Sequence, residues 1–144
     1  MKRISILAFF ICALSLTAFA KGKKPIAFDD LPNNVKEVVL KNFDAKQIQY
    51  ITTEHKFRRH EYAFMMNDNT KIAYDKKAQL CEIKNKQGVP TSFLPEAISE
   101  YIAKTFPNAK VTEYQKKKSR QEVELNNQLD LIFNKRGKFL RLED

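Results

Sequence analysis

The chain has 144 residues and a formal net charge of +9, with 43% hydrophobic and 30% charged residues. This length suits one medium domain or two small ones, each near the lower size limit for an independent core. Three glycines are too few for a glycine-rich phosphate loop, and two cysteines exclude a disulfide-rich scaffold.

Residues 1–20 have the pattern of a secretory signal peptide. Lys2 and Arg3 precede the apolar run 4–16, and Ala18 and Ala20 stand at the positions that a signal peptidase reads. The run is too short to span a bilayer core of ~30 Å, so we expect no transmembrane anchor after cleavage. Removing 20 of the 144 residues leaves 124, and loss of Lys2 and Arg3 lowers the net charge from +9 to +7. We therefore expect a periplasmic or secreted protein.

Export has consequences for the mature chain. Cys81 becomes its single cysteine because Cys12 lies in the signal peptide, so no internal disulfide is expected. Nucleic acid is excluded as a partner because the protein leaves the cytoplasm. Residues 21–27 begin with lysines and are predicted to form a flexible leader.

The rest of the sequence repeats itself. A helical pattern that opens with Leu31-Pro32 recurs 63 positions later, and each copy is followed by about forty residues of short alternating strands. We predict an α+β fold of two tandem repeats, residues 21–87 and 88–144, each with one helix packed on a four-stranded antiparallel meander sheet. The residues shared at this spacing are Leu31/Leu94, Pro32/Pro95, Val35/Ile98, Glu37/Glu100, Lys41/Lys104 and Phe43/Phe106.

In each repeat the hydrophobic period changes from about 3.6 to about 2 residues. The helices are expected to start near Asp29 and Asp30 in the first repeat and near Ser92 in the second, since these residue types favour helix N-termini. One face of each sheet is apolar and should carry the helix, while the other face is mixed. Strands are predicted over 47–56, 60–66, 70–75 and 79–85, and again over 110–117, 120–126, 129–134 and 138–143.

Basic residues concentrate at two sets of predicted hairpin turns, which a meander places at one end of the sheet. Half of the 24 basic residues of the mature chain lie there. One interpretation is that they keep the turns soluble and block edge pairing. The other is that they attract an acidic partner. The candidate binding residues at these turns are Arg58, Arg59, Lys76, Lys77, Lys117, Lys118 and Arg136.

Tyr50, Met65 and Tyr114 are candidates for a protein contact. The sequence pattern permits either face of the sheet for each of them. On the helix-free face they would form the apolar centre of a binding surface.

The sequence contains no catalytic constellation, so we predict a non-enzymatic protein with no cofactor and no metal. His55 and His60 flank one predicted turn, where their side chains need not converge, whereas zinc requires three or four convergent ligands. Cys81 is interpreted as a small buried hydrophobe rather than a nucleophile. The alternatives are a metal site that uses both histidines with Glu54 or Glu61, and a Cys–His pair. Cross-strand pairing with Lys71 or its neighbours accounts for Glu61, Glu122 and Glu124.

The mature sequence resembles the PepSY-like family of exported proteins, which is related in fold to the tandem repeats of beta-lactamase inhibitory protein. A helix that opens with Leu-Pro and ends near an aromatic residue precedes four strands, twice. The resemblance implies two units side by side whose sheets form one continuous surface. The family's hairpins usually carry glycine, which turns 67–69 and 76–78 lack. The matching residues are Leu31, Pro32, Val35, Phe43, Ile48, Tyr62, Phe64, Ala73, Tyr74, Asp75 and Leu80, then Leu94, Pro95, Ile98, Phe106, Pro107, Val111, Val123, Leu125, Phe133, Gly137 and Phe139.

Two functions follow as predictions. The first is an exported, non-catalytic protein-binding module, an inhibitor-like or regulatory partner of an envelope enzyme. The helix-free sheet face would be its contact surface, as the resemblance to the inhibitor implies. The alternative is an anion or ligand binder whose basic hairpin edge holds lipid phosphate or acidic glycan. The expected partner is an exported or envelope protein in the first case and an acidic lipid or glycan in the second.

Overall fold

The computed structural model describes residues 22–56 and 59–143, so the predicted signal peptide and Arg58 lie outside the described residues. The described residues form an α+β fold with two α-helices and nine strands. The helices are α1 (Asn33–Asn42) and α2 (Glu96–Thr105). The strands are β1 (Lys23–Pro25), β2 (Ile48–Lys56), β3 (Arg59–Met66), β4 (Lys71–Asp75), β5 (Leu80–Lys84), β6 (Val111–Lys116), β7 (Arg120–Leu125), β8 (Asp130–Asn134) and β9 (Phe139–Glu143).

The strands form one antiparallel sheet over the described residues, and their order in the sheet is their order in the chain. Helix α1 precedes β2–β5, and α2 precedes β6–β9. Strand β5 pairs with β6, with Ile83 opposite Tyr114 and Lys84 opposite Glu113. The sheet is therefore continuous from the first half of the chain to the second. No helix among the described residues is long and apolar enough to cross a membrane.

Strands β2 to β9 lie where the sequence predicts them, with each observed end within one residue of the predicted end. The prediction of a flexible leader is wrong for residues 23–25, which form β1. Lys23 stands opposite Glu54 of β2, and the two side chains form an ion pair at 3.2 Å. This contact and the backbone pairing hold the segment on the sheet.

The helices begin later than the expected positions. Asp29 and Asp30 belong to a short 3-10 turn, Phe28–Asp30, and Ser92 belongs to another, Thr91–Phe93. Pro32 and Pro95 stand immediately before the first helical residues, and neither helix has a side-chain cap. Proline suits this position because its fixed φ matches the helix and the first-turn amides have no intrahelical partner.

Both helices bury one face in a single hydrophobic cluster with the sheet. Val35 and Val39 of α1 and Ile98 and Ile102 of α2 are each spaced four residues apart and almost fully buried. Burying such a side chain stabilises the fold by ~1.5–3 kcal/mol. The sheet contributes a core row of cross-strand partners, Ile51, Phe64, Ile72, Ile83, Tyr114, Val123 and Leu131.

The turn over 76–78 keeps the shape of a glycine turn without glycine. Ala78 has φ 59° and stands where Gly137 (φ 81°) stands in the second half. In each turn one side-chain oxygen accepts two backbone N–H groups: Asp75 Oδ1 from residues 77 and 79, and Asn134 Oδ1 from residues 136 and 138. The side-chain hydrogen bonds favour this shape, and Ala78 adopts the left-handed conformation required.

Candidate interaction surface

The sheet face opposite the helices, here called the free face, carries the residues that alternate with the core row. One cross-strand row crosses this face from β2 to β9, and we call it the free-face row. It is chemically ordered: two large apolar side chains come first, two lysines follow, and four carboxylates complete it. Its members are Tyr50, Met65, Lys71, Lys84, Glu113, Glu124, Asp130 and Glu143.

The acidic part of the free-face row places carboxylates directly opposite one another. Glu113 stands opposite Glu124, Glu124 opposite Asp130, and Asp130 opposite Glu143. Burial raises the pKa of Asp130, and the neighbouring charges of Glu122, Glu113 and Glu143 raise it further. Like charges opposite each other reduce the stability of a sheet. Stability of the fold therefore does not account for this arrangement.

Each end of the acidic part forms an ion pair with a basic side chain. Lys84 forms an ion pair with Glu113, and Arg141 forms one with Glu143. Glu113 belongs to the second half of the chain and Lys84 to the first, so their ion pair lies at the junction of β5 and β6. The row thus changes from basic to acidic where the two halves meet.

A buried ionic cluster lies beside the basic part of the row. Glu54 is 3% exposed and Glu82 is 4% exposed, although α1 and α2 both pack on the opposite face. Glu82 accepts hydrogen bonds from Lys56 at 2.6 Å and from Lys71 at 2.9 Å. The same two ammonium groups lie 3.8 and 3.9 Å from Glu54, which also binds Lys23. The lysine stems cover the carboxylates, and each buried charge has an opposite charge beside it.

Two buried glutamates of this face have opposite pKa shifts. Burial alone would raise the pKa of Glu82, but its bonds to Lys56 and Lys71 lower that pKa to about 2. Burial raises the pKa of Glu61, and the nearby Arg59 only partly offsets this. Glu61 reaches Arg59 at 3.2 Å through Oε1, while its Oε2 has no hydrogen-bond partner among the described residues. Glu82 is therefore a well-paired carboxylate and Glu61 a poorly paired one.

Two of the three predicted apolar contact residues lie on the free face. Tyr50 is 42% exposed and stands opposite Met65 at the apolar end of the row. The prediction of Tyr114 as a contact residue is wrong. Tyr114 belongs to the core row, is 2% exposed, and donates a hydrogen bond from its hydroxyl to Gln121 Oε1 at 2.7 Å. A bulge between Val111 and Glu113 interrupts the alternation of β6. Counting residues from the start of the strand therefore cannot assign its faces.

The predicted basic turns meet at one end of the sheet because consecutive strands are antiparallel. This basic end carries most of the candidate residues that the structure describes. Four of them are exposed at the turns: Lys76, Lys77, Lys118 and Arg136.

Arg59 and Lys117 are engaged within the protein rather than presented at the turns. Arg59 binds Glu61 and donates to the carbonyl oxygen of Lys116 at 2.5 Å. Lys117 forms an ion pair with Glu122. Their charges are partly neutralised, so the exposed lysines dominate the basic end.

His55 and His60 converge, which the sequence interpretation does not anticipate. They are cross-strand partners, and His60 Nδ1 lies 3.2 Å from His55 Nε2. With Lys76 and Lys77 they line a groove of about 510 Å³ at the basic end. Burial lowers the pKa of His60, and the neighbouring His55 and Lys76 lower it further. Arg59, Gln79 and the carboxylate of Asp75 also line the groove. Basic side chains outnumber this carboxylate in the lining, so the groove suits an anion better than a cation.

Cys81 has the character of a structural residue. It is 1% exposed at a bulge of β5. Burial, with Glu61 nearby, raises the pKa of its thiol to about 12. A thiol that stays protonated is a poor nucleophile, and the interpretation of Cys81 as a buried hydrophobe is confirmed.

Comparison with protein families gives two overlapping matches to one family model. It is the PepSY-like family, described as "Putative beta-lactamase-inhibitor-like, PepSY-like", and it matches residues 19–82 and 60–141. Two successive matches agree with a tandem repeat. A comparison with curated proteins found no match.

Three solved structures are similar over nearly the whole fold. A "putative periplasmic protein" of the DUF2874 family from Bacteroides vulgatus ATCC 8482 has TM-score 0.76 and 24% identity, covering 88% of this chain and 100% of that one. A "putative calcium-regulated periplasmic protein" from Bacteroides thetaiotaomicron has TM-score 0.74 and 25% identity, covering 85% and 97%. A "putative periplasmic protein of unknown function" from Bacteroides vulgatus ATCC 8482 has TM-score 0.73 and 27% identity, covering 85% and 100%.

The descriptions of the two neighbours at 25% and 27% identity confirm the predicted periplasmic or secreted location. The calcium regulation named in one description is that of the Bacteroides thetaiotaomicron neighbour. Calcium takes six to eight oxygen ligands, largely from carboxylates. Over residues 22–56 and 59–143, no three histidine, cysteine or acidic side chains are grouped to hold a metal ion.

Proposed function

Because this chain belongs to the PepSY-like family, we propose that it is a non-catalytic periplasmic protein-binding module whose contact surface is the free face. Each half is one helix on a four-stranded meander in this proposal, and the pairing of β5 with β6 joins the two halves into one surface. The description of the family as beta-lactamase-inhibitor-like supports an envelope enzyme as the partner.

The order of the free-face row carries the proposal. Within its acidic part, Glu124 and Asp130 stand opposite each other between two ends that are ion-paired within the chain, and this like-charge pair lowers the stability of the sheet. A partner with a basic patch would relieve the repulsion between these carboxylates. Tyr50 and Met65 offer apolar contact at the far end of the row. Such a surface favours one orientation of one partner, because charge complementarity suppresses other arrangements.

The buried ionic cluster supports the proposal through rigidity. Glu82 holds Lys71 by a hydrogen bond of 2.9 Å, and Lys71 is a member of the free-face row. The basic part of the surface is thus already ordered before a partner arrives. A preformed surface loses less conformational entropy on binding than a mobile one.

Charge reversal at the centre of the acidic part tests this function. The double variant Glu124→Lys/Asp130→Lys is compared with Glu96→Lys/Glu100→Lys, which makes the same change of net charge on exposed residues of α2. Proteins captured from envelope extract are identified, and the affinity of each purified candidate is then measured. We expect the first variant to lose at least about tenfold in affinity, or ~1.4 kcal/mol, and the control to bind normally. Equal binding by both variants would reject the free face.

The groove at the basic end favours a second candidate function, an anion binder for lipid phosphate or acidic glycan. Its lining of His55, His60, Lys76 and Lys77 is the supporting observation. Protonation of His60 should strengthen such binding, and because its pKa is lowered this requires acidic pH. Inorganic phosphate and vesicles with an anionic phospholipid are titrated at pH 5.5 and pH 7.5 (about one unit either side of the usual histidine pKa). Lys76→Gln/Lys77→Gln serves as the variant and Lys41→Gln on α1 as control, and no binding at either pH would end this candidate.

A further inference from the structure

We propose that the outer edge of β9 is an interface at which a second copy of this chain pairs antiparallel about a twofold axis, extending the sheet. The proposal concerns an edge of the sheet rather than the contact with an envelope protein, although Arg141 and Glu143 of this edge also lie on the free face. It rests on a comparison of β9 with β5, the equivalent strand of the first half.

Strands β5 and β9 have the same local geometry. Tyr74 pairs with Leu80, and one residue is then passed over by a bulge at Cys81. In the second half Phe133 pairs with Phe139, and the bulge falls at Leu140. Leu140 therefore corresponds to Cys81, and Leu142 corresponds to Ile83.

The equivalent side chains differ in what covers them. Cys81 and Ile83 are each 1% exposed, and they lie on a strand whose outer edge pairs with β6. Leu140 is 50% exposed and Leu142 is 47% exposed. The first half thus uses this edge as an interface, and the second half leaves two leucines at the same place in solvent.

The backbone of β9 is also oriented for pairing. Asn85 N donates to Thr112 O across the junction of β5 and β6. Because N–H groups alternate sides along a strand, the N–H of Ile83 points the same way. By equivalence, the N–H and C=O of Leu142 point away from β8, toward the open edge. Such an edge is a template for another strand.

Charge selects a second copy as the occupant and fixes the register. When Leu142 lies opposite its own copy, Arg141 of one chain faces Glu143 of the other, and the contact occurs twice by symmetry. This arrangement reproduces the junction of β5 and β6, where Lys84 stands opposite Glu113 beside an apolar pair. A register centred on Arg141 would instead place two arginines opposite each other, which is unfavourable.

The opposite edge of the sheet, formed by β1, is poorly suited to pairing with another strand. Strand β1 has three residues, of which Pro25 lacks an N–H donor and two are lysines. Head-to-tail growth from β9 to β1 is therefore disfavoured, and the pairing closes as a dimer. A five-residue edge buries little surface, so we expect a dissociation constant in the micromolar range.

Sedimentation equilibrium of the exported protein tests the proposal over roughly 1–500 µM, a range chosen to bracket micromolar affinity. We expect a reversible dimer that Leu142→Lys abolishes, while Leu40→Lys, at an equally exposed leucine of α1, leaves it intact. Arg141→Glu should give a monomer, and Arg141→Glu/Glu143→Arg should restore the dimer. Circular dichroism checks that each variant is folded.

A cysteine variant supplies a second readout that does not depend on weakening the interface. Leu142→Cys should form an intermolecular disulfide on mild oxidation, because directly opposed residues in a hydrogen-bonded pair have Cα atoms ~5.5 Å apart. Cys81 is buried and should not compete. Leu40→Cys is the control. A wild-type monomer at all concentrations, or a dimer indifferent to Leu142→Lys and to the charge variants, would overturn the proposal.

Discussion

Lys56 Nζ donates a hydrogen bond to Glu82 Oε2 at 2.6 Å, although the residues lie on strands β2 and β5 with two strands between them. Ala63 and Ala73 stand on those intervening strands and are buried on the free face. Small side chains there leave room for the lysine to reach across. The free face therefore carries an ionic cluster that spans four strands, from β2 to β5.

Replacing Glu82 by Gln should destabilise the protein by about 3 kcal/mol at pH 7. The pKa of Glu82 is lowered from 4.5 to about 2, and each pKa unit corresponds to ~1.4 kcal/mol. The folded pKa is below the unfolded one, so this stabilisation is complete above pH 4.5 and is lost as the pH falls toward 2. Urea unfolding of wild type and variant across this pH range measures the difference. A difference that does not shrink with acid would contradict the pairing with Lys56 and Lys71.

Glu61→Gln should behave in the opposite way. The pKa of Glu61 is raised by burial, so its contribution is favourable at low pH and is lost as the pH rises through the folded pKa. At pH 7 we expect Glu61→Gln to lower the free energy of unfolding by less than Glu82→Gln does. The stability of the Glu61→Gln variant relative to wild type should increase as the pH rises. The same urea titrations report this, and parallel pH profiles for the two variants would refute the contrast.

The equivalent turns predict opposite effects of exchanging alanine and glycine. Ala78→Gly should stabilise the protein by ~0.5 kcal/mol. Glycine removes the conformational energy of a left-handed alanine, and this gain is larger than the free-energy cost of ordering the more flexible glycine. Gly137→Ala should destabilise by at least ~1 kcal/mol, since a Cβ there would also lie 3.1 Å from the Cβ of Ala97. Thermal unfolding measures both. Changes of the same sign would show that the turns are not equivalent.

Tyr114→Phe should lower stability by ~1 kcal/mol and leave partner binding unchanged. The variant removes the donor to Gln121 Oε1, and the Gln121 amide stays fixed by the carbonyls of Asn134 and Lys135. Denaturant unfolding and the binding assay together check this. If a stably folded Tyr114→Phe variant lost partner binding, Tyr114 would belong to the contact surface after all.

Much of the fold is predictable because periodicity reports burial directly. Val35 and Val39 mark the buried face of α1, and the alternation around Phe64 and Val123 marks the core row. The faces of Tyr50 and Tyr114 are not predictable, because β2 and β6 each contain a bulge that shifts the alternation. Pattern counting fails wherever one extra residue enters a strand.

The ionic cluster is beyond sequence reasoning for a different reason. Lys56 and Glu82 are 26 residues apart in the chain and lie on strands that do not pair with each other, so no local pattern indicates their contact. One local signal existed, since Glu82 stands between Cys81 and Ile83, two buried residues. The convergence of His55 and His60 was accessible, because the two residues lie symmetrically about one hairpin.

Site-specific photocrosslinking in the envelope tests whether the free face contacts a protein. A photoreactive residue replaces Glu124 on the free face, Glu100 on α2, or Lys118 at the basic end. We expect a covalent adduct with one envelope protein from position 124 and none from position 100. Adducts from position 100 or 118 with none from 124 would contradict it.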